Sequence, residues 1–211
     1  MTRPEDSPAR APATAPGART AAIVLAAGGA RRFGAAKQLA LLGGRPLLQH
    51  AVDAVLAVPA LEDVVVVLGA RGDAVAAGVD LGRARSVRCE HWARGMAASL
   101  QAGVAALDPG VGVALILLGD QPLVTAPVIE KVLAAARGQG DAFVAVRAAY
   151  DGVPGHPVAL GPDLLTLVPK LRGDAGARDL LAARDVPLVE AGGLGDGTDV
   201  DTPDDLKAIA P

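Results

Sequence analysis

The sequence predicts an α/β fold in three layers, a mainly parallel sheet covered on both faces by crossover helices. Two observations predict it. Aliphatic runs of strand length alternate along the chain with segments whose apolar residues recur at helical spacing. Hydrophobic residues make up 51% of the chain while aromatics make up 2%, and that aliphatic bias suits strands buried on both faces beneath helices. A length of 211 residues fits one domain of ordinary size.

The elements follow in order. Residues 1–20 carry Pro4, Pro8, Pro12 and Pro16 among charged residues without an apolar stretch. They read as a disordered tail and not as a secretory signal, which leaves residues 21–211 as the single folded domain. Strands are expected at 22–27, 64–68, 113–118 and 142–146, with weaker candidates at 86–89, 157–160 and 186–190. Helices are expected at 46–58, 96–107, 127–137, 175–184 and 203–210; the first starts at Pro46, an N-terminal helix residue, and places Leu47, Leu48, Ala51, Val52, Val55 and Leu56 on one face. Residues 148–174, rich in Gly and Pro, read as an excursion beside a site and not as a core unit.

Composition also excludes. A single cysteine, Cys89, rules out an internal disulfide and a Cys-rich metal centre. Mean hydropathy is +0.37, yet no apolar run reaches the length of a membrane span, so the expected location is the cytoplasm. A net charge of −3 and a scarcity of stacking rings argue against a nucleic-acid partner.

In open parallel sheets ligands bind beyond the carboxyl ends of the strands, so those ends are the places to look for chemistry. The first candidate strand runs into Leu25-Ala26-Ala27-Gly28-Gly29-Ala30-Arg31-Arg32-Phe33-Gly34, followed by Lys37. Small residues let backbone N–H groups approach an anion, and three cationic side chains follow. The spacing is neither that of a Walker loop nor that of the dinucleotide fingerprint; the competing reading is a solvated glycine turn. A second strand ends in Leu118-Gly119-Asp120-Gln121-Pro122, which puts one carboxylate at the same sheet edge. Such a group suits Mg²⁺, commonly held by one or two carboxylates plus substrate phosphates, although an Asp before Pro also serves simply to close a turn. Third comes Asp199-Val200-Asp201-Thr202-Pro203-Asp204-Asp205. Thr202 suits a helix N-cap, Pro203 a first helical position, and Asp204 and Asp205 a helix N-terminus, which leaves Asp199 and Asp201 as candidate metal carboxylates. Finally, Cys89-Glu90-His91-Trp92-Ala93-Arg94-Gly95-Met96 leads into a helix containing Ser99; Gly95 and Ser99 are candidates for a pocket wall, and Trp92 for the core.

These stretches resemble, in order, the Leu-Ala-Ala-Gly-x-Ser-x-Arg-Met-Gly-x-x-Lys, Gly-Asp-Gln-Pro and Asp-Val-Asp-Thr-Pro elements of the MobA-like nucleotidyltransferases. The likeness is strongest to the molybdenum-cofactor cytidylyltransferase branch, whose Trp-x-x-Gly-Met-x-x-Ser-Leu, Gly-His-Pro and Gly-Asp-x-Gly-Ala-Arg elements are matched around Trp92, His156 and Arg178. Ala30, Phe33 and Cys89 depart from the pattern. The resemblance implies a Rossmann-type fold like that of the nucleotide-diphospho-sugar transferases. It further implies transfer of CMP or another NMP from an NTP, CTP above others, to a phosphorylated small-molecule acceptor, with release of pyrophosphate. It makes Arg32 and Lys37 catalytic, lines the nucleotide with Leu25, Ala26, Ala27, Gly28, Lys37, Gly95 and Ser99, and assigns Mg²⁺ to Asp120 and Asp201, with Asp199 as substitute. His156 and Arg178 fall on the acceptor side, where the branch takes a molybdenum-pterin phosphate; a molybdoenzyme or its maturation chaperone is the implied protein partner. Other readings remain: a nucleotidyltransferase with another acceptor or with GTP as donor, a molybdenum-cofactor carrier without activity, and an NAD(P)-linked oxidoreductase.

Overall fold

In a computed structural model, residues 19–29, 33, 36–140 and 143–210 are described. A seven-stranded sheet forms the middle layer. Its strands are β1 (Arg19–Ala26), β4 (Asp63–Leu68), β5 (Arg85–Arg88), β6 (Val111–Leu118), β7 (Ala145–Tyr150), β8 (Val153–Leu160) and β9 (Leu188–Glu190), while β2 (Leu41–Leu42) and β3 (Arg45–Pro46) form a separate small hairpin. The spatial order is β5-β4-β1-β6-β8-β7-β9. Every neighbouring pair is parallel except those made by β8, which runs against both β6 and β7.

Alternation along the strands sorts the apolar side chains into two cores. Ala22, Val24, Val64, Val66, Leu115 and Leu117 face α1 (Leu47–Leu56), α2 (Gly72–Gly78) and α4 (Ala126–Gly138). Ile23, Val65, Val67 and Ile116 face the other way, onto α3 (Met96–Ala105), α5 (Pro162–Leu165) and α6 (Ala177–Leu181). β4 is buried at all six positions, as expected of a central parallel strand covered twice. The C-terminal α7 (Pro203–Ala208) packs Leu206 and Ile209 onto a third, small cluster around Leu42, Leu47 and Val200.

The chain winds from β1 outward through β4 to β5, then returns through α3 to place β6 on the opposite side of β1. The strand order therefore reverses between β1 and β6, and a crevice opens at their carboxyl ends, the usual ligand position in open α/β sheets.

Three expectations are corrected. β1 starts at Arg19, inside the stretch assigned to the tail: Thr20 is buried, its hydroxyl donates to the Ala60 carbonyl and its N–H to Glu62, while Arg19 pairs with Glu62 and Asp108. Polar residues satisfied by distant partners leave no apolar trace in the sequence. The strand expected at 142–146 is β7, shifted to Ala145–Tyr150; residues 141 and 142 lie outside the described ones. Residues 148–174 are no excursion, since β8 inserts into the sheet between β6 and β7. Its first half, with Pro154, Gly155 and a cis His156–Pro157 bond, pairs only with β7, and its apolar second half, Val158 to Leu160, pairs on both sides. Proline is tolerated where a strand has a free edge, which is how a Pro-rich stretch comes to be a sheet strand.

Candidate active site

β1 and β6 end side by side, and the Gly119 N–H donates to the Leu25 carbonyl at 2.9 Å. This tie sets the glycine stretch after β1 against Asp120. Gln38, 6% exposed, braces the stretch from behind: its Nε2 donates to the carbonyls of Ala26 at 2.8 Å and Gly28 at 3.0 Å. Lys37 sits in the same short helical turn, Lys37–Leu39, and points the opposite way, toward the acids.

Lys37 joins three distant parts of the chain. Its Nζ donates to Asp120 Oδ2 at 2.7 Å and to Asp201 Oδ1 at 3.0 Å. Burial by itself would lower the Lys37 pKa; the charge of Asp120 and the hydrogen bonds to Asp120 and Asp201 outweigh it and hold the ammonium above its ordinary value. Asp201 is brought to this point by two anchors. The Val200 N–H donates to the Asp120 carbonyl at 2.9 Å, with Val200 fully buried, and α7 begins immediately beyond. There Thr202 accepts from the Asp205 N–H at 3.2 Å and Asp205 accepts from the N–H groups of Asp201 and Thr202. This reciprocal cap fixes the backbone that carries Asp201. Asp199 is not among the residues lining the cleft above these groups, and its carboxyl is raised by burial and by the charges of Asp120 and Asp201, against a hydrogen bond from Gln121 and the charge of Lys37.

A cleft of about 580 Å³ opens over these groups, a volume that suits a small-molecule ligand. One wall is Leu25 to Gly29 and the floor is Leu118 to Asp120 with Lys37 and Asp201; the far wall is Trp92, Ala93, Gly95, Met96 and Ser99, with Asp174 beside it. Gly95 has φ +105, and a Cβ there would stand 2.4 Å from the Gly173 backbone, so only glycine lets the start of α3 approach the 173–176 loop this closely. Ser99 is 7% exposed on α3. Trp92, expected in the core, also bounds the cleft: its ring lies over Gly29 and its Cβ over Gly69, where added methyl groups would come within 2.8 and 2.7 Å.

The structure thus gathers Leu25, Ala26, Ala27, Gly28, Lys37, Gly95, Ser99, Asp120 and Asp201 around one cleft. Arg32 lies outside the described residues. His156 and Arg178 do not line the cleft; they stand on β8 and α6 with Arg147 of β7, near enough for their charges to act on one another. Sequence reading missed Gln38 and Arg147, and met Asp174 only as part of the Gly-Asp-x-Gly-Ala-Arg element. Gln38 adjoins the motif lysine, and that adjacency was its only local signal.

Two carboxylates whose oxygens converge on one cation are a donor set that suits a hard divalent ion. Among the described residues no group of three or more His, Cys, Asp or Glu side chains is placed to hold a metal, so Asp120 and Asp201 fit the carboxylate-plus-phosphate mode and not a closed protein cage. Also among the described residues, no helix is long and apolar enough to cross a membrane.

A mainly parallel sheet with a glycine loop, a lysine and two carboxylates at its switch point defines a class, the α/β proteins that handle nucleotide phosphates. Within it, the chain belongs to the MobA-like NTP transferase domain family, whose model matches residues 22–188. A relative named nicotine blue oxidoreductase, from Paenarthrobacter nicotinovorans, is 33% identical over 195 residues, spanning 89% of this chain and 94% of that protein. A 2-C-methyl-D-erythritol 4-phosphate cytidylyltransferase from Streptomyces avermitilis is 34% identical over 155 residues, 67% of this chain and 62% of that one. Among solved structures, the Mycobacterium sp. strain JC1 homologue of Mycobacterium tuberculosis Rv0371c superposes with TM-score 0.78 at 28% identity, covering 91% of this chain and 95% of that one. A manganese complex of Rv0371c from Mycobacterium tuberculosis H37Rv superposes with TM-score 0.71 at 25% identity, over 90% and 97% of the two chains.

Proposed function

We propose that this protein transfers CMP from CTP to the phosphate of a molybdenum-pterin acceptor and releases pyrophosphate. The observation that carries the reading is the Asp120–Lys37–Asp201 bridge beneath a glycine-lined cleft. Such a bridge holds a cation and two carboxylates together at the cleft floor, a set that suits a triphosphate arriving with its metal.

In the reaction, an acceptor phosphate oxygen forms a bond to the α-phosphorus of CTP as the bond from that phosphorus to the β-bridging oxygen breaks, and pyrophosphate leaves with its electron pair. Asp120 and Asp201 are the residues that would hold Mg²⁺, which when bound supplies neutralisation and polarisation of the phosphates. Lys37 stabilises charge that builds on the transferred and leaving groups, with Arg32 assigned the same task. Backbone of the Gly28 stretch approaches the nucleotide, and Ser99 and Gly95 bound it from the α3 side. A phosphate acceptor is already ionised near neutral pH, so the proposed reaction needs no general base; among the described residues no histidine lines the cleft. Ala27 beside the cleft, in place of the glycine usual in guanylyl-transferring relatives, favours a pyrimidine donor.

The name of the Paenarthrobacter relative, an oxidoreductase, favours a second reading, the NAD(P)-linked oxidoreductase that the sequence leaves open. The Lys37-bridged carboxylates have no task in that chemistry. Pyrophosphate release measured with each of the four NTPs and Mg²⁺, with and without molybdenum-pterin, separates the two. Release with CTP that requires the acceptor is the expected result; oxidation of NAD(P)H in the presence of nicotine blue, with no pyrophosphate from any NTP, would overturn it.

A further inference from the structure

Outside the cleft, positive charge collects where β7, β8 and α6 meet. Ala145, two residues before Arg147 on β7, is buried with Ala177, Leu180 and Leu181 of α6. Alternate residues of a strand share a face, so Arg147 projects on the side of the sheet that α6 covers, the side that also carries Arg178. Arg19, Arg45, Arg85 and Arg88 each have an acidic partner, whereas among the described residues no carboxylate forms an ion pair with Arg147 or Arg178. The Nε of Arg147 is buried without a hydrogen bond, and its Nη2 reaches only the Gly155 carbonyl, at 3.5 Å. Burial and the neighbouring Arg178 charge lower the Arg147 pKa. Burial first, then the charges of Arg147 and Arg178, push the His156 imidazole down to about 4. His156 is therefore neutral at physiological pH and keeps one N–H to donate.

Two guanidinium groups sharing a face without an acid are a costly arrangement that an oxyanion relieves, because their N–H forks match phosphate oxygens two at a time. The place adjoins the cleft. The Gly173 carbonyl accepts from the Ala97 N–H of α3 at 3.0 Å, Asp174 lines the cleft, and Gly176, two residues before Arg178, lies against the Met96 sulfur. We propose that Arg147, which no motif marks, joins the acceptor-side residues Arg178 and His156 in an oxyanion site and is the residue that sets the preference for phosphorylated over unphosphorylated acceptors. The ownership of the phosphate rests on the nucleotidyl-transfer reading; the binding of an anion does not.

The test is calorimetric titration of the full chain with inorganic phosphate, in the wild type and in R147M, R147K, R178M and K37M, with circular dichroism to verify folding. Phosphate should bind the wild type and K37M alike, weaken about tenfold or more in R147M and R178M, and fall between in R147K, which keeps the charge without the fork. R147K also carries the test should R147M fail to fold. Phosphate binding lost in K37M and kept in R147M would put the anion in the nucleotide cleft and overturn the proposal. In turnover, R147M should raise the acceptor KM about tenfold with the CTP KM unchanged, and inorganic phosphate should compete with the acceptor; inhibition that is not competitive overturns the assignment to the acceptor. If no NTP releases pyrophosphate while R147M still loses phosphate binding, the transfer reading fails and the anion site stands.

Discussion

The two halves of the sheet treat charge in opposite ways. At the β1–β6 edge a buried lysine is compensated twice over, by Asp120 at 2.7 Å and Asp201 at 3.0 Å. At the β7–β8 edge two arginines share a face without an acid among the described residues. The first arrangement is closed on itself, a cation already matched by two carboxylates; the second has no matching charge among the described residues. Under the proposed transfer reaction the two would divide the work, the first half taking the metal with the triphosphate and the second holding the acceptor's phosphate.

The largest expected effect breaks the compensated half. Asp120→Ala should lower metal-dependent pyrophosphate release by at least about a hundredfold, the scale on which lost electrostatic stabilisation of a transition state is measured, while circular dichroism stays unchanged. Lys37→Met should reduce kcat by about as much with little change in nucleotide affinity; a change in KM alone would assign Lys37 to ground-state binding. Because it also removes the ammonium that Asp120 and Asp201 now share, the same variant should bind Mn²⁺ more tightly without nucleotide, as read by electron paramagnetic resonance.

The uncompensated half answers to pH. A histidine whose folded pKa lies at about 4 binds fewer protons folded than unfolded between that value and its ordinary 6.5. Its neutral state is stabilising above pH 6.5, and that contribution is lost as pH falls toward 4, by at most roughly 3 kcal/mol. Chemical denaturation at pH 7 and pH 4.5 should show a drop that is smaller in His156→Gln; an equal drop in the two proteins refutes the assignment. The smallest effect concerns the backbone that delivers Asp201: Thr202→Ala should cost about 1 kcal/mol through loss of the α7 cap, measured by the same denaturation.

The halves also differ in how far they can be read from sequence. β1, β4 and β6 are sandwiched between two helical layers, so Ile23, Val65 and Ile116 on one face and Val24, Val66 and Leu115 on the other make continuous apolar runs. β8 carries Pro154 and Pro157 and β9 exposes Leu188 and Glu190, so they show in the sequence only as the weaker candidates at 157–160 and 186–190. α2 escaped notice because only Gly72 and Val75 of it are buried, too few to make a periodic stripe. At the site, Lys37, Asp120 and Asp201 each stand in a local motif, but their meeting spans 83 and 164 residues of sequence and depends on where β6 and Val200 come to rest. Arg147 had no motif at all. What marks it is a buried nitrogen without a partner, a property that exists only after folding.

The placement of Trp92 has a practical consequence. It is the only tryptophan in the chain, and its indole lies over Gly29, with its Cβ against Gly69, at the rim where the glycine stretch meets the far wall. Indole emission shifts with local polarity and with the exclusion of water, so the whole fluorescence of the molecule at indole excitation comes from one ring at one place. The protein carries its own optical gauge of cleft occupancy, and a titration with any nucleotide can be followed by light without label or substitution.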